Sequence, residues 1–541
     1  MKKGLLSKSL LVSLALALSL GTIVTGCKKK VDSTKPADVT QTSALKDFKN
    51  TELTWYINYD WAGDTGWGTD TTTKYLLDTY GIKVKWVTSN GASKQKLATM
   101  IASSELPDII TLERGADTNQ LVSAGVLHPI DDYVKKYPNL MKWSTPKGLK
   151  VLASPVDDKL YGVPNWYTNE KHPLGNSGFV LNEKYYKELG QPKINNLDDF
   201  YSYLKSIKAK YPDVIPMSFG AGLTGGDVFY SLFAEKRDKE AAKSFFYKSG
   251  NELKSVFQDP AYQEYLLYVN KLYREGLMSS EDFTMKQEQW AQKANNGKIG
   301  AFAADDALGG TQEIDQAYRK NDPQGGYAQI EPPAKAGIDK SKVTPSAYSS
   351  AGWNHTVITN SAKDPEKIYA LLDWLTGPDG QMISNYGPKG LYWDETVDYE
   401  GTKVPVLTDK WRNKVDYSEI GEINWVANGA WNAVASAYDN EKNPPKAGTW
   451  DVAKETKISQ KFSYNTDEYL NITPDPTSQE GIIYQSVKDE LTKDIAKVVL
   501  SKTEADAKKE IESADANATK LGFDKVLKVM TDSWQKNLNT K

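Results

Sequence analysis

The chain has 541 residues, a formal net charge of −3, 25% charged residues and one cysteine, Cys27. A chain of this length can bury more than one hydrophobic core, and its charge balance argues against a nucleic-acid partner. An intramolecular disulfide is excluded because it needs two cysteines.

The chain begins with a pattern typical of a bacterial lipoprotein signal. Three lysines within the first eight residues precede an apolar run from Leu10 to Val24, which is followed by Thr25-Gly26-Cys27. About 15 apolar residues are fewer than the roughly 20 of a membrane span. We predict that residues 1–26 are removed, which shifts the net charge to −6, and that Cys27 carries a lipid. An uncleaved N-terminal anchor is the alternative.

Residues 27–47 are predicted to be a flexible tether. They begin with Lys28, Lys29 and Lys30 and continue with Thr, Ser and Asp, so they lack the apolar residues that a core needs. About twenty such residues reach about 25 Å. The lysines either contact anionic lipid headgroups or are simply solvated.

From residue 53 onwards, short β-rich runs alternate with amphipathic helices, which favours an α/β fold. The predicted strands are Leu53–Asn58, Ile82–Val87, Asp108–Leu112, Ile299–Ala303 and His355–Ile358. Helices are predicted behind Asp198-Asp199, Asp259-Pro260 and Asp364-Pro365, and a last one from Phe523 to Leu538. Asp515-x-Asn517-x-Thr519 is predicted to be a polar turn before that last helix. With no repeat or linker after residue 50, two lobes joined by several crossings are expected.

The chain is rich in aromatic residues, with 15 Trp and 31 Tyr, and has only 3 His. Many of the aromatics lie at strand ends or in loops beside acids and amides. A sugar presents an apolar C–H face and a rim of hydroxyls, so an aromatic surface with polar groups at its edge fits it. Any one of these Trp residues could instead be a core residue, and Trp86, Trp374 and Trp534 are assigned to the core.

Motifs for catalysis or cofactor binding are weak. Gly220-Ala-Gly222-Leu-Thr-Gly225 has the spacing of a dinucleotide-binding loop, but Pro216 interrupts the preceding apolar run, so a loop lining a cleft is preferred. Asp305-Asp306 could serve a glycosidase, although such acids more often cap a helix or contact a ligand. No cofactor and no metal site are expected.

Several segments together resemble the family 1 extracellular solute-binding proteins, which are the substrate-capturing lipoproteins of carbohydrate ABC importers. The segments are Ala102–Ile109, Ala124–Tyr133, Tyr137–Asn139, Asp158–Pro164, Leu181–Gly190, Leu197–Phe200, Asn296–Ala301, Asp364–Ala370 and Asn385–Gly390. The chain is most similar to the large oligosaccharide-binding subgroup. It departs from that subgroup at Tyr211–Pro216, where a calcium loop often occurs, and at Lys389, where an acid is usual. We therefore expect no calcium at the first position and carry over no ligand contact at the second.

The resemblance implies a periplasmic-binding-protein-like fold, in which two α/β lobes joined by hinge crossings enclose an oligosaccharide. Residues 48–163 and 352–395 would form lobe one, and residues 164–345 with most of 396–541 lobe two. The protein would be a monomer without enzymatic activity, lipid-anchored on the extracellular face of the cytoplasmic membrane, and would deliver its ligand to the permease subunits of the importer. A secreted carbohydrate-active enzyme and a sugar-binding surface sensor or adhesin are the alternatives.

Ten residues are predicted to contact the sugar, because each combines a suitable side chain with a strand-end or loop position. They are Asp60, Trp61, Glu113, Arg114, Trp166, Asp305, Trp353, Trp393, Trp425 and Trp431.

Overall fold

The computed structural model describes residues 45, 48, 51–63, 66–412, 420, 423–444 and 449–539. The predicted signal, Cys27 with its predicted lipid and most of the predicted tether lie outside these residues. Among the helices described, none has the length and apolarity to cross a membrane.

Two sheets of strands form the framework. The strands are β1 Glu52–Ile57, β2 Lys83–Thr88, β3 Ile109–Glu113, β4 Gly162–Asn165, β5 Gly178–Asn182, β6 Ile215–Ser218, β7 Phe246–Ser249, β8 Glu252–Ser255, β9 Ile299–Ala304, β10 Tyr327–Ile330, β11 Ser346–Tyr348, β12 Asn354–Ile358, β13 Trp393–Tyr399, β14 Thr402–Leu407 and β15 Ser463–Asn465. The first sheet has five strands in the order β2-β1-β3-β12-β4, and the second has four in the order β10-β5-β9-β6. The described residues also form three two-stranded sheets, β11-β15, β13-β14 and β7-β8.

Helices flank these sheets. The α-helices are Thr71–Tyr80, Ser93–Ser103, Ala116–Ser123, Asp131–Lys136, Asn139–Trp143, Pro146–Leu152, Glu183–Glu188, Leu197–Lys210, Gly226–Tyr230, Lys239–Lys243, Pro260–Arg274, Gln287–Asn295, Gly309–Asn321, Pro365–Thr376, Pro378–Tyr386, Asp409–Arg412, Gly429–Lys442, Val452–Lys461, Gln479–Leu500, Glu504–Leu521 and Phe523–Leu538. Short 3-10 turns lie at Ala221–Leu223, Val256–Gln258, Ser280–Phe283, Lys340–Lys342 and Asp467–Tyr469.

The five predicted strands and four predicted helices are confirmed to within one or two residues at most ends. The caps explain the helix starts: Asn196, Asp259 and Asp364 each accept backbone N–H bonds at the N-terminus of the helix that follows. The predicted polar turn around Asn517 is wrong. This segment lies inside the helix Glu504–Leu521, because Thr503 caps that helix and the Asn517 amide donates to Asp494 of the neighbouring helix, 3.0 Å away.

Each sheet is buried on both faces, as expected where helices cover a mainly parallel or mixed sheet. On the first sheet, Trp55 and Ile109 face one core, while Tyr56 and Ile110 face another. The second sheet divides in the same way between a large core that contains Phe179, Met217 and Ala301 and a smaller one that contains Val180, Ile299 and Phe302. Alternating side chains on each strand therefore hold helices on both sides.

The part of the chain after β12 is divided between the two sets of cores. Residues from Trp393 to Ala435 contribute to the main core of the first sheet. The helices Gln479–Leu500, Glu504–Leu521 and Phe523–Leu538 pack into the large core of the second sheet. The final helix is docked as predicted, since its Trp534 is buried and donates its indole N–H to Glu468, 3.0 Å away.

Candidate binding site between the two sheets

The topology of the first sheet brings most of the predicted aromatic residues to one edge. Strands β1 and β3 are parallel, and β12 runs antiparallel to β3 and β4. The carboxyl ends of β1, β3 and β4 and the start of β12 therefore lie together. Tyr59 and Trp61 follow β1, Glu113 ends β3 and Arg114 follows it, Trp353 precedes β12, and Trp166 follows β4.

Four rings at this edge form what we call the aromatic cluster: Tyr59, Trp61, Trp353 and Trp425. Tyr59 lies 5.2 Å from both Trp61 and Trp353 and stacks at 6.1 Å on Trp425, measured between ring centroids. Trp61 also stacks on Trp425 at 5.6 Å. Trp61 is 65% exposed and Trp353 is 37% exposed, whereas Trp425 is 5% exposed. The cluster thus has a buried base and an open upper surface.

Local contacts explain why Trp353 and Trp425 lie here. Gly352 has a φ of 64°, and a Cβ at this position would lie 2.1 Å from the carbonyl oxygen of Asn165, so only glycine allows the close approach. The Trp353 amide then donates to that same carbonyl at 3.2 Å. The carbonyl oxygen of Trp425 accepts a hydrogen bond from the Thr356 hydroxyl of β12 at 3.1 Å.

Tyr59, which was not predicted as a site residue, joins the aromatic rings to a carboxylate. Its hydroxyl donates to Glu113 Oε2 at 3.1 Å. Glu113 is exposed, yet desolvation by the surrounding protein raises its pKa, with Tyr59 and Arg114 opposing the rise. Glu113 is therefore reached by solvent although many protein atoms surround it, as expected for a side chain in a concave surface. Tyr59 stands next to Asp60 in the chain, but with 31 tyrosines present this position alone does not indicate a site residue.

Arg114 lies next to Glu113 with unused hydrogen-bonding capacity. Its Nε is buried and has no hydrogen-bond partner among the described residues. Burial lowers the pKa of Arg114, and the carboxylates of Glu113, Asp467 and Glu240 oppose that effect. Glu240 lies in the helix Lys239–Lys243 and Asp467 in the turn Asp467–Tyr469, both outside the first sheet. Arg114 therefore interacts electrostatically with elements that do not belong to its own sheet.

The corresponding edge of the second sheet carries what we call the charged cluster: Asp227, Lys239, Glu240, Lys243 and Asp305. Asp305 directly follows β9, and its carboxylate pairs with the Lys239 ammonium at 2.7 Å. Burial alone would raise the pKa of Asp305, but Lys239 and Lys243 lower it below the ordinary value. Lys243 also interacts with Glu113, so the charged cluster faces the edge of the first sheet that holds the aromatic cluster.

The neighbouring Asp306 has a different role. Its carboxylate accepts backbone N–H bonds from Leu308, Gly309 and Gly310, and desolvation still raises its pKa. These donors open the helix Gly309–Asn321, so Asp306 holds the start of that helix. Both members of the Asp305-Asp306 pair are therefore engaged by the protein itself.

Two predicted contacts are corrected by the structure. Trp393 is 8% exposed and Trp431 is 0% exposed, and both belong to the main core of the first sheet. Their indole N–H groups donate to backbone carbonyls, Trp393 to Gly387 at 2.9 Å and Trp431 to Lys403 at 3.0 Å. Their polar atoms are thus used internally, and neither ring is available to a ligand.

Two further predicted residues lie at the edge of the first sheet in other roles. Asp60 accepts hydrogen bonds from the Ser89 hydroxyl and from the Ser93 amide, at 2.9 and 2.8 Å, which ties the loop after β1 to the start of a helix. Trp166 is half-buried with a φ of 55°, and its amide donates to the Ala427 carbonyl at 2.7 Å. Asp60 thus orders the loop that carries Trp61.

Comparison with known proteins gives one family match. Residues 65–382 match the model of the bacterial extracellular solute-binding protein family. The polygalacturonan/rhamnogalacturonan-binding protein YtcQ of Bacillus subtilis is 22% identical over 74% of this chain and 77% of its own length. Lipoprotein LipO of the same species is 26% identical over 57% of this chain and 61% of its own length.

Solved structures share the fold. An HMO-binding, ABC-transporter-associated solute-binding protein from Bifidobacterium longum infantis superposes with a TM-score of 0.64 at 15% identity, covering 91% of this chain and 99% of that chain. This similarity confirms the predicted fold class, that of the periplasmic binding proteins.

Proposed function

This chain belongs to the bacterial extracellular solute-binding protein family, and from that membership we propose that it captures an oligosaccharide between its two sheets for an ABC importer. Its relatives include a carbohydrate ABC transporter substrate-binding protein of Streptococcus pneumoniae, 24% identical over 61% of this chain and 59% of its own length. The observation that carries the proposal is the aromatic cluster, whose upper rings are open at the edge where ligands of α/β folds bind.

The aromatic cluster has the properties that a sugar face requires. The exposed rings of Trp61 and Trp353 offer flat apolar surface to C–H groups, while buried Trp425 stacks on Trp61 and on Tyr59. Stacking against Tyr59 restricts the rings before a ligand arrives, so less side-chain freedom is lost on binding.

Polar groups at the rim complement the rings. Arg114 and Lys243 are donors, while Glu113 and Asp305 are acceptors. A sugar hydroxyl both donates and accepts, so a rim of both kinds suits a ring of hydroxyls.

Binding without chemical conversion is the function we propose, in place of a glycosidase. A retaining or inverting glycosidase needs one carboxylic acid and one free carboxylate on either side of the scissile bond. Asp305 is paired with Lys239, and Asp306 is held by three backbone N–H groups. The Asp305-Asp306 pair, which the sequence offers as the candidate for glycosidase chemistry, is therefore not free for proton transfer or nucleophilic attack in this arrangement.

We propose that residues 48–163 and 352–395, extended by the core stretch to Ala435, move as one lobe, and that 164–345 with the C-terminal helices move as the other. Ligand contacts from both lobes favour the closed form, which would engage the permeases. Cys27, outside the described residues, would hold the protein to the extracellular face of the membrane by its lipid.

A thermal-shift and calorimetric screen of the purified protein against an oligosaccharide library tests the proposal. A binder at about a hundredfold excess over its Kd should stabilise the fold by about 3 kcal/mol, and small-angle scattering should show a smaller radius of gyration. Trp61→Ala should weaken binding and Trp61→Phe should largely preserve it, at unchanged Tm. Turnover of a bound sugar, detected by mass spectrometry, would instead support an enzyme, and no binding to any saccharide would reject the carbohydrate assignment.

A further inference from the structure

Asp227 is the only carboxylate of the charged cluster that the described part of the chain leaves without a hydrogen bond or an ion pair. Asp305 pairs with Lys239 at 2.7 Å, and Glu240 lies 3.5 Å from the same ammonium. Asp227, in contrast, interacts with its neighbours only at longer range. It is half-buried, so water and ligands can reach it.

The backbone fixes the position of Asp227 at the edge of the second sheet. It lies in the helix Gly226–Tyr230, immediately after the glycine-rich loop that follows β6. A Cβ on Gly225 would lie 2.1 Å from the carbonyl oxygen of Ala303 in β9, so the chain passes directly against the end of that strand. The glycines of this loop thus serve a close approach between backbones, which places Asp227 beside Asp305.

The charges around Asp227 do not balance. The charged groups that act on Asp227 are two cations, Lys239 and Lys243, and two carboxylates, Asp305 and Glu240, so with Asp227 itself the set holds three carboxylates and two cations. One negative charge is in excess, and Asp227 is the carboxylate without a partner. Burial, and next the charge of Asp305, raise the pKa of Asp227 to about 7, in keeping with a surplus charge.

We propose that Asp227 is a specificity-determining residue, which accepts a hydrogen bond from a hydroxyl of an uncharged oligosaccharide and excludes sugars that carry a carboxylate. This inference rests on the proposed function and names its substrate class. A hydroxyl donates to Asp227 without adding charge, whereas a uronic acid adds a second uncompensated negative charge in a partly desolvated site. The ligand class would thus differ from the polygalacturonan named for the relative YtcQ.

Other groups near Asp227 agree with this assignment. The phenols of Tyr262 and Tyr265 pack behind it, and burial together with the Asp227 charge raises the pKa of both, so they stay neutral. Lys239 and Lys243 are the cations that face it, and each also interacts with Asp305. Lys239 is paired with Asp305, and the charge of Lys243 acts on Asp227, Asp305 and Glu113 together, so the set keeps one negative charge in excess before a ligand carboxylate is added.

The test uses matched pairs of oligosaccharides that differ only in oxidation at C6. Calorimetry of the purified protein would compare galacto-, gluco- and manno-oligosaccharides with the corresponding uronates, near pH 8 and near pH 5.5. Near pH 8 a neutral sugar should bind at least about tenfold more tightly than its oxidised counterpart, and Asp227→Asn should reduce this ratio to about threefold or less. Asp132→Asn, a change of an exposed aspartate on the helix Asp131–Lys136, is the matched control and should keep the ratio.

The pH series on the unmodified protein gives an independent readout, even if Asp227→Asn folds poorly. Since Asp227 titrates at about 7, the ratio should fall towards acid pH in the parent protein and change much less in Asp227→Asn. Tighter binding of a uronate than of its neutral counterpart, or an unchanged ratio in Asp227→Asn, overturns this inference and leaves carbohydrate capture standing. Binding of no member of either series contradicts the proposed function itself.

Discussion

The two facing edges are built in different ways. At the edge of the first sheet, residues that follow or precede adjacent strands converge on an aromatic cluster, and its outermost ring is 65% exposed. At the edge of the second sheet, the charged cluster combines Asp305 after β9 with Lys239 and Lys243 from a short helix about sixty residues earlier in the chain. Under the proposed function, the first edge offers apolar surface that would suit many sugars, whereas the second offers charge that would discriminate among them.

This difference also decides how far the sequence could predict the site. The sequence predicts the position of Trp61, Glu113 and Trp353 at one edge, because each lies at or next to the end of a strand that the residue pattern predicts. Lys239, Lys243 and Asp227 were missed, because lysines and aspartates are common on any solvated surface and only the tertiary fold brings these together. Trp393 and Trp431 were misassigned for a related reason: a loop or helix start that looks exposed in sequence is covered here by distant elements.

The largest effect should come from the buried base of the aromatic cluster. Trp425→Ala should lower the free energy of unfolding by about 3–5 kcal/mol, because it leaves a cavity in the main core of the first sheet. Trp61→Ala, a change of an exposed ring in the same cluster, should lower it by less than about 0.5 kcal/mol. Denaturant unfolding of the two variants measures the contrast. Equal losses of stability would show that the cluster is not divided into a buried base and an open surface.

The charged edge should respond through the ion pair of buried Lys239 with half-buried Asp305. Lys239→Met keeps most of the side-chain volume but leaves Asp305 without its partner, so we expect a loss of about 1–3 kcal/mol in the free energy of unfolding at neutral pH. Because Lys239 lowers the pKa of Asp305, this contribution is present above the ordinary aspartate pKa and is lost as the pH falls through the lower folded-state value.

The free energy of unfolding of the parent protein should therefore exceed that of Lys239→Met near pH 7. Near pH 2.5 the two values should converge. The matched control is Lys335→Met, which removes a lysine whose ion pair with Glu264 is exposed, and it should change stability by less than about 1 kcal/mol at either pH. A difference between the parent and Lys239→Met that stays constant with pH would assign the effect to packing instead of charge.

The open rings should affect binding more than stability. Trp353→Ala and Trp166→Ala should each weaken binding of the best saccharide from the screen by about 1–3 kcal/mol. Trp353, with its ring in the cluster, should show the larger effect, while Trp166 is half-buried and held by its backbone. Calorimetry gives the affinities, and Trp393→Phe serves as a control that should leave them unchanged. If both alanine variants bind the saccharide as tightly as the parent protein does, neither ring contributes to ligand binding.

Removal of divalent metal ions should have the smallest effect, which is none. The charged edge gathers several carboxylates, and such a set could bind Ca²⁺ if its oxygens were free. Lys239 pairs with Asp305 instead, and the backbone of the helix Gly309–Asn321 occupies Asp306. Lys243 adds a further positive charge, which repels a cation from Asp227. Treatment with EDTA should therefore leave both Tm and saccharide affinity unchanged. A Tm that EDTA lowers and added Ca²⁺ restores would show that the carboxylates of this edge bind Ca²⁺ despite the neighbouring lysines.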